Sequence, residues 1–176
     1  MPTDRHIKTG PVIRQMNAAD WAIIRPLRLR ALSDSPSAFG SSFAEQSKES
    51  DAQWIERIEQ LTDPRRAGMW LAFLGEDAVG MVAGVKDEKD PRRAWLISMW
   101  VAPDARRHGL GQALIHHVID WADQSGMDAM HLHVTDGNDP ARRLYERLGF
   151  QTTGETMPHP RIPNLIEHEM RRVLGM

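Results

Sequence analysis

The sequence predicts a mixed α+β fold, with about seven strands in one central sheet and about four helices covering it. Three observations carry this expectation. Strand-like runs joined by short turns occur early and late in the chain, a strand–helix–strand stretch between them needs a crossover, and four segments repeat apolar residues at helical spacing. A chain of 176 residues buries roughly 70% of its unfolded surface, enough for one core without a disulfide or metal staple.

Met1–Gly10 mixes charges with Pro and Gly and has no apolar core of a signal peptide. It reads as a flexible lead-in (1–10) to one domain over residues 11–176. Val12–Met16 is short, apolar and partly β-branched, as a brief strand requires. Asn17 or Asp20 then caps a helix with Trp21, Ile24, Leu27, Arg28 and Ala31 on one stripe, and Pro26 is expected to kink or split it. Ser33–Ser50, Ser-rich and interrupted by Pro36 and Gly40, reads as a loop or broken helix. Glu49–Leu61 sets Trp54, Ile55, Ile58 and Leu61 at helical spacing. Met69–Leu74 and Val79–Lys86 form a hairpin over Gly75–Ala78.

Ala94–Val101 is almost continuously apolar, which predicts a central strand buried on both faces and ended by Pro103. Leu110–Ala122 is an amphipathic helix with Leu110, Ala113, Leu114, His117, Val118 and Trp121 on one face, stopped by Gly126. Ala129–Val134 is a short strand, and Pro140–Leu148 is a helix with Pro in its first turn. Phe150–Thr156 and Leu165–Val173 are antiparallel strands around a Pro-rich loop.

Composition narrows the function. With no cysteine, the chain has no disulfide framework, no Cys-based zinc site and no cysteine nucleophile, and it needs no oxidising compartment, so a cytoplasmic location is expected. A net charge of −2 lacks the basic excess of a nucleic-acid binder, although Arg92–Arg93, Arg106–Arg107 and Arg142–Arg143 come in pairs. No run is long and apolar enough for a bilayer, so no membrane partner is expected. His131 and His133 share one strand face, but no third ligand is identifiable and no metal is expected.

The chemistry concentrates in two stretches. In Trp100–Gly111 a buried strand enters a loop with Arg106, Gly109 and Gly111 and then a helix. Glycines let the backbone approach closely, and the free N–H groups and helix dipole favour an anion such as a pyrophosphate. Neither the P-loop signature nor a GxGxxG fingerprint is present. The second stretch, Leu132–Phe150, sets Asn138 at a helix start and the chain's only tyrosine, Tyr145, on the same face as Ala141, Leu144 and Leu148.

Together the run Arg106-Arg107-His108-Gly109-Leu110-Gly111 and the set Leu132, Val134, Asn138, Ala141, Leu144, Tyr145, Glu146, Gly149 and Phe150 resemble the GNAT acetyltransferase superfamily. The resemblance covers about Val12–Val173 and implies a mostly antiparallel, twisted sheet. It also implies acetyl-CoA as co-substrate, its pyrophosphate held by backbone N–H groups of Arg106, Arg107, His108, Gly109, Leu110 and Gly111. Met99 and Val101 would pair with the pantetheine arm. Asn138 would contact that arm or order its helix. Tyr145 would protonate the leaving thiolate or hydrogen-bond its sulfur. The amine attacks the thioester directly in a ternary complex, so no protein nucleophile is needed.

A base must still deprotonate the amine. Many relatives carry a Glu on the strand placed at Ala94–Val101, where this chain has none; His133, between Leu132 and Val134, becomes the candidate, with ordered water as the alternative. The acceptor pocket would come from the loops at about Ser33–Ser50, with Phe39, Phe43 and Glu45, and at about Met157–Asn164, with His159 and Arg161. The expected activity is N-acetyl transfer to an amine of a small molecule, amino acid or protein. The missing strand carboxylate keeps a catalytically weak acyl-CoA sensor as the alternative. Relatives often form homodimers, and six Trp leave room for an apolar contact surface.

Overall fold

The computed structural model describes residues 10–175. All of the expected lead-in except Gly10 lies outside the described residues. Seven strands form one sheet in the order β1-β2-β3-β4-β5-β7-β6. They are β1 (Val12–Gln15), β2 (Ala67–Leu74), β3 (Asp77–Lys86), β4 (Arg93–Val101), β5 (Ala129–Thr135), β6 (Gln151–Pro158) and β7 (Ile166–Val173). Every pairing is antiparallel except β4 with β5. That parallel pair needs a crossover, which α4 (Leu110–Gln124) supplies.

The remaining helices are α1 (Trp21–Asp34), α2 (Phe43–Gln46), α3 (Asp51–Thr62) and α5 (Asp139–Arg147). In the β2–β3 hairpin, one residue parity faces α4: Trp70 lies beside Trp121, and a Cβ on Gly84 would come within 2.6 Å of that ring. The other parity, with Met69, Leu71, Met81 and Ala83 all fully buried, is covered by α1 and α3. The core therefore has two layers, one on each side of the sheet.

Several local expectations are corrected. α1 runs unbroken through the exposed Pro26, whose missing N–H falls on the solvent side. Asn17 and Asp20 cap each other across a 3₁₀ turn, Ala18–Asp20, that leads into α1. Within Ser33–Ser50 the chain makes a 3₁₀ turn at Pro36–Ala38 and the one-turn helix α2, begun by a Ser42–Glu45 capping box. The hairpin is tighter than expected: Leu74 pairs with Asp77 around Gly75 and Glu76. On α4 the buried stripe is Leu110, Leu114, Ile115, Val118, Ile119 and Ala122, while His117 is exposed beside Trp70.

β4 departs furthest from expectation. It is not buried on both faces: Trp95, Ile97 and Met99 are only half-buried. Ser98 adopts a left-handed backbone (φ 56°) at a bulge, where the β3 register jumps from Met81↔Trp100 to Ala83↔Ile97.

Candidate active site

β4 and β5 pair only over Arg93–Trp95 with Ala129–His131. Beyond Trp95 they part, so the last residues of β4 have no partner on the β5 side. The bulge at Ser98 turns β4 at the point of parting. Between the strands lies a cleft of about 910 Å³, walled by β4, β5 and α5 and by the loops after α1, β4 and β6. A second hollow of about 540 Å³, near Asp123 and Arg171, contains none of the expected site residues.

At one end of the cleft is the loop Arg106–Gly111. Arg107 (φ 69°) and Gly109 (φ 74°) are both left-handed, which folds the backbone back on itself before α4 starts at Leu110. Such reversals group N–H donors on one side, and the first-turn N–H groups of α4 join them. The side chain of Arg106 is not free: it donates to Val101 O at 2.8 Å and to Asp34 Oδ2 at 2.7 Å. Asp34 also accepts from Ser35 Oγ (2.7 Å) and Trp100 Nε1 (2.9 Å). These bonds, Ser35 and Trp100 foremost, hold its carboxyl below the usual range. Arg106 and Asp34 therefore brace the loop against β4 and α1, while Arg107 and His108 remain exposed. Met99 and Val101 line the same cleft.

Tyr145 sits on α5, buried, edge-on to Phe150 at 5.9 Å, and lines the cleft. Burial alone raises its pKa, so the phenol stays protonated. Asn138 orders the start of α5: its Oδ1 accepts from Ala141 N at 3.4 Å. His133 is exposed at the cleft, its ring stacked on Trp95 with centroids 4.9 Å apart. Its strand neighbour His131 is buried, its Nδ1 3.0 Å from Glu169 Oε1. Desolvation lowers its pKa against the pull of that carboxylate.

The two loops expected to form the acceptor end meet. The Arg161 guanidinium donates to Pro36 O (2.7 Å), Phe39 O (3.0 Å) and Gly40 O (3.0 Å), tying the β6–β7 loop to the segment after α1. His159 is buried, and its Nδ1 accepts from the Arg161 and Ile162 N–H groups, both at 3.1 Å. It is thus used inside its own loop, as His131 is used by Glu169. Among the described residues no three His, Asp or Glu side chains gather as metal ligands.

Sequence reasoning missed three cleft residues. Trp95 was read only as part of an apolar run. Glu167 follows from β7's alternation, which sets Glu167, Glu169 and Arg171 opposite Thr135, His133 and His131. Arg28 lay in view as the one charged residue on an otherwise apolar helical stripe.

The acetyltransferase (GNAT) family model matches residues 29–150. A 91-residue stretch, 49% of this chain and 40% of the relative, is 35% identical to N-acetyltransferase family 8 member 3 of Mus musculus. A 57-residue stretch, 32% of this chain and 38% of the relative, is 44% identical to the ribosomal protein bS18–alanine N-acetyltransferase of Escherichia coli. The chain thus spans well under two thirds of these relatives. The structure of yncA from Salmonella typhimurium with its cofactor acetyl-CoA shares the fold, with a TM-score of 0.77 at 20% identity over 95% of each chain. The family match runs from α1 through α5, across the bulged strand, the loop Arg106–Gly111 and Tyr145: the chain belongs to the acetyltransferase (GNAT) family.

Proposed function

We propose that this chain is an acetyl-CoA-dependent N-acetyltransferase that moves the acetyl group directly to an amine in a ternary complex. The observation that carries the reading is the parting of β4 from β5, which leaves an unpaired strand edge in one cleft with the loop of left-handed Arg107 and Gly109 and a buried tyrosine. The thioester supplies an electrophilic carbonyl and a thiolate leaving group. The backbone from Arg106 to Gly111 binds the pyrophosphate, and the free edge at Met99 and Val101 takes the pantetheine amides as an added strand would. Asn138 fixes the start of α5 and so the position of Tyr145.

Proton flow follows from the residues. His133 accepts a proton from the acceptor ammonium, and the neutral amine forms the C–N bond as the C–S bond breaks. The Tyr145 O–H gives its proton to the departing sulfur, and the second proton, shed by the newly acylated nitrogen, restores the phenol. The Trp95 ring holds the imidazole in place. The acceptor is an amine of a small molecule, amino acid or protein. The same reading gives the enzyme a cytoplasmic home, where a chain without cysteine loses nothing.

Titration calorimetry with acetyl-CoA, followed by thiol release over a panel of amines, amino acids and peptides, tests this. Saturable one-to-one binding with release for at least one acceptor is expected. No binding overturns the assignment of the loop, and binding without release from any acceptor points to an acyl-CoA sensor.

A further inference from the structure

Three arginines of α1 and α3 have different partners. Arg25 meets Asp51 Oδ1 at 2.6 Å, and Arg57 meets Glu49 Oε1 at 2.5 Å. Arg28, part-buried and lining the cleft, has only neutral hydrogen-bond partners: Nε donates to Gln46 Oε1 at 3.2 Å, and Nη1 reaches Ser98 Oγ at 3.5 Å. No carboxylate stands within ion-pair distance of it among the described residues, and its Nη2 donates to none of them. Its guanidinium lies 4.4 Å from the Phe39 ring centroid, which holds the plane in place.

Burial, with Arg57 beside it, pulls Arg28 down to about 10, against the opposite pull of Glu49. A guanidinium at that value remains charged at neutral pH. A part-buried cation with no carboxylate in direct contact is an incomplete site, and the two terminal nitrogens of a guanidinium match the two oxygens of a carboxylate. Glu167 lines the same cleft and carries the opposite charge, suited to an ammonium.

We propose that Arg28 binds a carboxylate of the acceptor, so that the substrate is a small zwitterionic amine of the amino-acid class rather than the N-terminal amine of a protein. This rests on the transferase reading and deepens it. Ser98, at the bulge, reaches Arg28 from the stretch of β4 that has no β5 partner, which sets the arginine beside the unpaired part of the strand.

The test is steady-state thiol release with acetyl-CoA, comparing the twenty L-amino acids, their carboxamides and short peptides, for the wild type, Arg28→Ala and Arg28→Lys. The expected result is a free amino acid preferred over its own carboxamide by at least about tenfold in kcat/KM, the size of one lost charged contact. Arg28→Ala should collapse that ratio towards one through the acceptor KM, with acetyl-CoA affinity retained; Arg28→Lys should recover part of it. A purely packing role would lower acid and amide alike and leave the ratio intact. Equal rates for wild-type acid and amide, or release from peptides alone, overturn the carboxylate assignment and leave the transferase standing. Acetyl-CoA binding with no release from any acceptor, or no acetyl-CoA binding at all, overturns both.

Discussion

Tyr145 combines two properties that a surface phenol lacks. Its ring is fixed edge-on against Phe150, and its O–H is held protonated by desolvation rather than by a charged partner. Tyr145→Phe keeps the packing and removes only the proton donor. Turnover should fall by about 10²–10⁴-fold, the range for a lost acid catalyst, with little change in acetyl-CoA affinity; unchanged turnover would remove the acid role. The direction of the pKa shift adds a constraint. Because the folded value lies above the ordinary one of about 10, no alkaline limb from Tyr145 should appear in the pH–rate profile below that pH. At this scale the sequence was readable where function lies in the backbone. Gly109, with its left-handed φ, and Asn138, with its cap, are recognisable from motif spacing. The proposed part of Arg28 and Glu167 rests on which groups stand beside them in the cleft, which a one-dimensional string does not display.

Two glycines divide the work of α4. Gly84 on β3 lies beneath the helix, where a Cβ would come within 2.6–2.8 Å of the Trp121 ring and Val118. Gly109 at the helix start has open space around it and a φ of 74°. Gly84→Ala should therefore act by overpacking, destabilising by about 1–3 kcal/mol and lowering the melting temperature by several degrees. Gly109→Ala meets no neighbour and should lose only about 1 kcal/mol to its backbone conformation, yet it should weaken acetyl-CoA binding more. Calorimetry and thermal melts on both variants separate the two; equal effects on binding would mean that the loop has no special role. The apolar run at Ala94–Val101 misled for a related physical reason. Hydrophobicity records removal from water, and the wall of an apolar cleft needs it as the core does. Composition therefore could not reveal that one face of β4 is half-open or that its register breaks at Ser98.

Across the whole molecule, the site depends on elements far apart in sequence being held at fixed separations. The sheet opens the cleft by letting β4 and β5 part, and the loops after α1 and β6 wall its other end. Sequence alone supplied the order of elements and both loops, since periodicity and turn residues are local. The latch between the loops was out of reach: it joins Arg161 to three backbone carbonyls of residues 36, 39 and 40, and a carbonyl leaves no mark in composition. A charged donor spread over three carbonyls fixes both loops at once, so its loss should act on the acceptor more than on the donor. Arg161→Ala is expected to raise the acceptor KM several-fold and to lower the melting temperature by a few degrees. Acetyl-CoA affinity should stay close to wild type, because the loop Arg106–Gly111 has a brace of its own, from Arg106 to Val101 O on β4. Steady-state kinetics with each substrate varied in turn checks the split. A matching loss for acetyl-CoA would mean that the two ends of the cleft move as one body, and an unchanged acceptor KM would mean that the latch serves stability alone.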